Sequence, residues 1–222
     1  VLLAIDSSTL WVGLALYDGN QVYGEIVWRS QNHHTVELAP AVDELLKRSG
    51  VNRTDLKAVG MALGPGSFTS LRIGLALGKG LALALHIPVI GIPTLDFLAA
   101  AQPLQDTDMA AVLQAGRGRL AVVHYRVEDG AWKAQDEPVV MTVQQLEESI
   151  TRPTLICGEL GAEERQIVAR KWKKVSLAAP ALCVRRPAYL AELAWKRFEQ
   201  NDFDDAVTLS PIYVHVNDPI LG

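Results

Sequence analysis

Glycine placement inside one apolar helix limits what this chain can fold into more tightly than any other feature. Residues 64–85 read GPGSFTSLRIGLALGKGLALAL, a glycine turn running into a helix expected over about Thr69–Leu85. Gly74, Gly78 and Ala82 stand at i, i+4 and i+8, one smooth stripe along a helix face; Ala76, Gly80 and Ala84 make a second stripe offset by two residues. A glycine inside a helix costs about 1 kcal/mol against alanine, so Gly74, Gly78 and Gly80 together call for a steric reason, and close approach of another backbone supplies one. Leu71, Leu75, Leu77, Leu81 and Leu85 leave little polar surface, which implies cover from more than one side. Two arrangements satisfy the pattern. Either the helix is central and covered wholly within its own domain, or one stripe packs on a sheet and the other on a partner protein.

The segments around it read as a mixed α/β layout. Val1–Ile5 is a short apolar run expected to form a buried strand, followed by Val12–Tyr17, a turn at Asp18-Gly19 and the returning strand Gln21–Arg29. Leu38, Val42, Leu45 and Leu46 share one helical face with Gly50 as C-cap, while Pro40 limits where that helix starts or kinks it. Lys57–Leu63 and Val89–Gly91 read as strands and Thr94–Ala101 as a helix, giving β-β-β-α-β-α-β-α for a first lobe over residues 1–101. The polar stretch Gln102–Met109 marks the boundary of a second lobe over residues 102–222. Its expected strands are Ala110–Gln114, Leu120–Val127 and Thr154–Cys157. Its expected helices are a capping-box helix from Thr142 to Ile150, Gly161–Trp172, and Ala188–Gln200, the last placed to return to the first lobe.

Bulk properties narrow the function classes. The chain has 222 residues and a net charge of −4, with 21 Lys plus Arg against 25 Asp plus Glu, a balance that favours a protein partner or a small ligand over unaided grip on a nucleic-acid backbone. Cys157 and Cys183 fit no C-x-x-C or disulfide pattern, which suits a reducing cytoplasm. The longest apolar run, Leu71–Leu85, is interrupted by Arg72 and Lys79, so no membrane span is expected, and the opening VLLAID does not read as a signal peptide.

Several motifs carry both a bland and a sharp reading. Asp6-Ser7-Ser8-Thr9 follows the first strand, where nucleotide-binding folds of the actin and sugar-kinase type use an acidic residue and small hydroxyls to reach phosphates and a metal; Asp and Ser are also ordinary turn residues. Gly64, Gly66 and Ser67 either expose helix-start amides to an anion or form a strand-to-helix connection capped by Ser67 or Thr69. Gly78-Lys79 is not a P-loop: Gly74 precedes Gly78 by four residues and Gly80 stands where Ser or Thr is required. His33 and Glu37 lie one turn apart, but with no third ligand they read as a polar helix start and not a metal site. No hydrolase elbow or triad is present. The run Arg170-Lys171-Trp172-Lys173-Lys174 is either a solvated helix end or an RNA-phosphate contact.

Together these residues resemble one family. Ala4-Ile5-Asp6-Ser7-Ser8-Thr9, then Gly64-Pro65-Gly66-Ser67-Phe68-Thr69 with Leu71-Arg72-Ile73-Gly74, and the late Ser210-Pro211-Ile212-Tyr213 are similar to the TsaB family, also called YeaZ. The resemblance implies an actin-like, ASKHA-type fold of two α/β lobes. It also implies a non-catalytic subunit required for N6-threonylcarbamoyladenosine modification of the adenosine beside the tRNA anticodon. Such a subunit pairs with and activates TsaD, supports recruitment of the ATPase TsaE, and meets tRNA through the complex. It is expected to bind no cofactor or metal by itself, with ATP or ADP at the interface of the complex, and to form weak homodimers when alone. The TsaD-type His-x-x-x-His pair has no counterpart in Gly91–Leu98, so a metal cage is missing there, and Gly158-Glu159-Leu160-Gly161 is the nearest remnant of TsaD's second-lobe glycine motif. Carried onto this chain, the pairing surface falls on the first two helices, with Leu38, Val42, Leu45, Leu71, Gly74, Leu75, Gly78 and Ala82 as the expected interface. Asp6, Ser7, Ser8, Gly64, Gly66 and Ser67 are the expected vestigial phosphate contacts, and no residue is expected to be catalytic. An ATP-dependent kinase or a metallopeptidase-like enzyme of the same fold is the alternative. Three departures stand out: Ser70 replaces a usual glycine, residues 114–119 read QAGRGR in place of a DAR-type turn, and Tyr213-Val214-His215 replaces Tyr-Leu-Arg.

Overall fold

The computed structural model describes residues 1–31 and 33–214, so His215 lies outside the described residues. The strand that organises the first lobe is β1 (Leu2–Asp6), whose residues are all buried. Leu3 and Ile5 enter one core and Leu2 and Ala4 the other, because successive side chains of a strand point to opposite faces. β1 pairs antiparallel with β2 (Trp11–Tyr17), which pairs antiparallel with β3 (Val22–Arg29). On its other side β1 runs parallel to β4 (Ala58–Ala62), which runs parallel to β5 (Val89–Ile92), giving the order β3-β2-β1-β4-β5.

Two helices cover one face of this sheet. α1 (His34–Ser49) buries Leu38, Val42, Leu45 and Leu46 and ends at Gly50, whose φ of 65° provides the left-handed cap. Pro40 lies inside α1 on an exposed position and does not end it. α2 (Phe68–Leu85) starts at the N-cap Ser67, whose side chain accepts the Ser70 amide. The first small-residue stripe faces the sheet: a Cβ on Gly74 would overlap the Ser7 hydroxyl, and one on Gly78 would overlap the Met61 side chain and crowd Val59. Although α2 is long and apolar enough by length and composition to cross a membrane, that stripe is committed to the strands beneath it.

This placement corrects the expected interface. Leu38, Val42, Leu45, Leu71, Gly74, Leu75, Gly78 and Ala82 are all buried within the chain's own lobe. The residues that give a helix its amphipathic stripe are those it buries on its own sheet, so the surface these helices leave to solvent is the opposite side. There, Ala76, Gly80, Leu83 and Ala84 of α2 are exposed, as are Val36, Ala39 and Pro40 of α1.

The second sheet has the order β11-β10-β6-β7-β8, with a further strand, β9, paired to β7. Its strands are β6 (Asp108–Gly116), β7 (Arg119–Glu128), β8 (Ala131–Ala134), β9 (Val139–Thr142), β10 (Thr154–Gly158) and β11 (Val175–Leu177). β8, β9 and β11 are only three or four residues long and none is wholly buried, so each is too short to stand out in the sequence, and their strand character comes from pairing with β7 and β10. α4 (Val143–Ser149) opens with the expected capping box between Thr142 and Gln145, and α5 (Ala162–Ala169) stops three residues short of Trp172.

Two helices cross between the lobes. α3 (Thr94–Ala100) follows the first sheet in sequence, yet Leu95, Leu98 and Ala99 pack against Met109, Ala111 and Tyr125 of the second. α6 (Pro187–Glu199) ends the second lobe, yet Leu190, Ala191 and Ala194 pack on Leu2, Ala4 and Ala58 of the first. Gly60 of β4 admits this helix, since a Cβ there would crowd Ala194 and Leu190.

The two stripes of α2 therefore predict opposite mutational signs. Gly78→Leu overpacks the sheet face and should destabilise by about 2 kcal/mol or more. Gly80→Ala, at a position with nothing within 4 Å, should stabilise by about 0.5–1 kcal/mol. Urea unfolding of both variants against the parent checks the assignment.

Candidate functional site

The lobes enclose a cleft of about 1080 Å³, lined by Thr9 and Trp11 of the first lobe, Phe68 at the start of α2, and Gln114, Glu159 and Arg165 of the second lobe. The turn after β1 reaches it through Thr9 and lies behind it. Asp6, Ser7, Ser8 and Thr9 are all buried there.

Asp6 is occupied from both sides. Its Oδ1 accepts the Ser8 amide at 2.9 Å and the Ser8 hydroxyl at 2.6 Å, the local turn expected of an Asp-x-Ser sequence. Its Oδ2 accepts Nε of Arg185 at 2.8 Å. Arg185 itself is fully buried and uses the rest of its fork on Glu159 (2.5 Å), the Thr9 hydroxyl (2.9 Å) and the Trp11 carbonyl (3.1 Å). Thr9 donates its own proton to Glu159 at 2.7 Å, which closes the ring of contacts. Burial works against the guanidinium charge, but Asp6 and Glu159 outweigh it and hold Arg185 above its ordinary pKa.

The other expected phosphate contacts are brought together, and Ser7, Ser8, Gly64 and Ser67 are hydrogen-bonded to their neighbours. The Ser7 hydroxyl donates to the Ser70 carbonyl at 2.8 Å, and the Ser67 amide donates to the Ser8 carbonyl at 2.7 Å. Ser70, the residue standing in place of a usual glycine, also donates its hydroxyl to Ser67 at 3.0 Å and so reinforces the cap of α2. Gly66 lies so close to the Ser8 carbonyl that a Cβ would overlap it, and the Gly64 amide donates to Thr94 Oγ1 at 3.0 Å. Thr94 in turn shares a 2.8 Å hydrogen bond with Ser8.

Across the cleft, Gly158 adopts φ +118° and fits tightly against the Val112 carbonyl, which lets β10 turn and present Glu159 to Arg185. The start of α5 is an anion-binding position by its dipole, but the Glu164 carboxylate already fills it, accepting the Gly161 amide at 2.6 Å and the Gln114 side chain at 2.7 Å. The residues around Asp6 and α5 thus do not fit a nucleotide phosphate with its metal, because an internal cation and an internal anion hold those places. The QAGRGR segment forms the β6–β7 turn, with Gly116, Arg117 and Gly118 all at positive φ.

The segment where a histidine pair would stand does structural work. Leu95, Phe97 and Leu98 are core residues, and Asp96 accepts the Tyr125 hydroxyl at 2.7 Å, joining α3 to β7. Burial raises the Asp96 carboxyl above its usual range, partly offset by that hydrogen bond. Among the described residues no group of three His, Cys, Asp or Glu side chains is arranged to hold a metal ion. His34 Nε2 lies 3.0 Å from the Thr9 carbonyl, a buried contact that ties α1 to the same turn.

Arg185, Glu164 and Thr94 were absent from the sequence-based candidates. Arg185 lies 179 residues from Asp6, and no local pattern links them. Glu159 was visible only inside the Gly158–Gly161 remnant.

Comparison with known proteins places this architecture. The two sheets and their helices form an actin-like (ASKHA) two-lobe fold, and residues 22–185 match the family model described as TsaD: tRNA N6-adenosine threonylcarbamoyltransferase. Over 171 residues the chain is 32% identical to the tRNA threonylcarbamoyladenosine biosynthesis protein TsaB of Bacillus subtilis (strain 168), covering 75% of this chain and 74% of that protein. The structure of YeaZ from Pseudomonas aeruginosa superposes with a TM-score of 0.76 at 22% identity, covering 95% of this chain and 99% of the other. A tRNA N6-adenosine threonylcarbamoyltransferase of Nitratidesulfovibrio vulgaris (strain DP4) is 44% identical over 63 residues, 28% of this chain and 17% of that protein. The chain belongs to the TsaB (YeaZ) family, whose work is the biosynthesis of threonylcarbamoyladenosine in tRNA.

Removing the central cation strands a buried carboxylate. Arg185→Met should cost about 3–5 kcal/mol of stability, read by urea unfolding, with Arg185→Lys intermediate because an ammonium cannot reproduce the fork. A thiol reagent offers a separate check on the cleft. Cys183, at its rim, should react in the native state, while the buried Cys157, whose thiol burial pushes far up, should react only on unfolding.

Proposed function

We propose that this chain is a non-catalytic subunit that pairs with a TsaD-type threonylcarbamoyltransferase, activates it and supports recruitment of the TsaE ATPase. The observation that carries this reading is the self-satisfied cleft. Arg185 sits against Asp6, Glu164 fills the start of α5, and Leu95 and Phe97 belong to the core where a metal-binding helix would present imidazoles. Groups committed to ion pairs and hydrogen bonds within the fold are poorly placed to orient a phosphoryl or acyl group.

The surface offers what the cleft does not. α1 and α2 lie side by side on one sheet face, and their outer sides expose Val36 (70%), Leu83 (76%), Ala76, Gly80 and Ala84. Small residues flanked by exposed aliphatic ones allow another helix pair to approach closely, either that of the catalytic partner or, in its absence, that of a second copy. The 63-residue likeness to a threonylcarbamoyltransferase supports a paralogous partner. In this reading the chain binds no nucleotide by itself, ATP or ADP belongs to the interface of the complex, and tRNA is engaged by the assembly in the cytoplasm.

Reconstitution of the modification tests the proposal. With the transferase, the ATPase, threonylcarbamoyl-adenylate and tRNA present, leaving this chain out should reduce product to background, and adding it back should restore turnover; full activity without it contradicts the proposal. Gly80→Leu and Leu83→Asp should each weaken pairing by about tenfold or more while leaving the thermal midpoint of the isolated chain within a few degrees, as measured by light scattering and calorimetry.

A further inference from the structure

The turn that follows α5 does not belong to the cleft or to the α1–α2 surface. Four of the five residues Arg170-Lys171-Trp172-Lys173-Lys174 are cationic in a chain whose net charge is −4. Trp172 at their centre is 73% exposed, and Lys173 Nζ lies 5.4 Å from the centre of its ring. Arg152 joins the cluster from the loop before β10, because the Thr154 amide donates to the Lys174 carbonyl at 2.8 Å and sets the two segments side by side.

Ordinary structural roles account for only part of this. Cations after a helix C-terminus complement its dipole, and Lys171 is engaged locally, 4.0 Å from Glu147 and donating to the Glu148 carbonyl. Among the described residues, Arg152, Arg170, Lys173 and Lys174 have no ion-pair partner. Neither the dipole nor a solvated charge run explains an indole placed outward among them. Exposed cations around an exposed planar ring are the combination that binds single-stranded or looped nucleic acid, with phosphates on the cations and a base on the ring.

We infer that this turn is an RNA-docking platform, with Trp172 as the stacking surface and Arg152, Arg170, Lys173 and Lys174 as phosphate contacts. The inference rests on the reading of the chain as a subunit of a tRNA-modifying assembly, and its ligand is an unpaired segment of that RNA. An anionic membrane shares the charge requirement, but membrane docking takes several apolar anchors. Trp172 is the only large apolar residue exposed between Val139 and Leu182 among the described residues.

The test uses the full chain and a fluorescently labelled tRNA anticodon stem-loop, followed by anisotropy at several salt concentrations. Trp172→Ala should weaken binding about tenfold, and Trp172→Phe should retain it because a ring still stacks. Lys173→Glu with Lys174→Glu should lower the salt slope by about one per lost contact. Unchanged RNA affinity in both the Trp172→Ala and the double lysine variant overturns the inference. So does Trp172-dependent binding to phosphatidylserine vesicles without any change toward RNA. Light scattering of the same variants with the transferase separates the two readings: normal pairing with unchanged RNA binding removes only the platform, whereas a parent chain that fails to pair removes the subunit role.

Discussion

Burying Asp6 at the end of β1 would cost several kcal/mol if its carboxylate stood alone, and the cleft is arranged so that it does not. Arg185 reaches from the segment before α6, meets Asp6 with one edge of its fork and Glu159 with the other, and anchors Thr9 and the Trp11 carbonyl as well. Asp6 belongs to the first lobe and Glu159 to the second, so a single guanidinium fixes both the turn chemistry and the spacing of the lobes. Removing the guanidinium strands both carboxylates at once, which makes the network cooperative and not a sum of separate pairs.

The crossed helices reinforce that spacing. α3 leaves the first sheet to pack on the second, and α6 leaves the second to pack on the first, so each lobe's core is completed by a helix from the other's stretch of sequence. Asp96 and Tyr125 pin the first crossing, and Pro187 and Gly13, packed in close contact, begin the second. Here the places a nucleotide's charges would take are held by Arg185 and Glu164, and α2 turns one exposed face to solvent.

Much of the first lobe was legible in the sequence because its elements carry strong local signals. The apolar opening, the Asp18-Gly19 turn, the Gly50 cap and the glycine turn before α2 each specify local geometry, and the observed strands and helices start within a few residues of the expected places. The second lobe was harder to read, since strands such as Ala131–Ala134 are exposed on most positions and owe their conformation to β7. The α2 stripes were visible, but their allegiance was not. Periodicity reports that a face must be covered; only the fold reveals that Met61 and Ser7 cover Gly78 and Gly74. Arg185 shows the limit most clearly, because a long-range ion pair leaves no trace in spacing, and an Arg-Arg-Pro sequence before a helix looks like any polar helix start.

The proposed subunit role requires that the internal guanidinium of Arg185 close the β1 turn to phosphate. Isothermal titration of the purified full chain with ATP–Mg tests it most directly. The account predicts no saturable heat across the titration. A clear micromolar isotherm, with one nucleotide bound per chain, would contradict it.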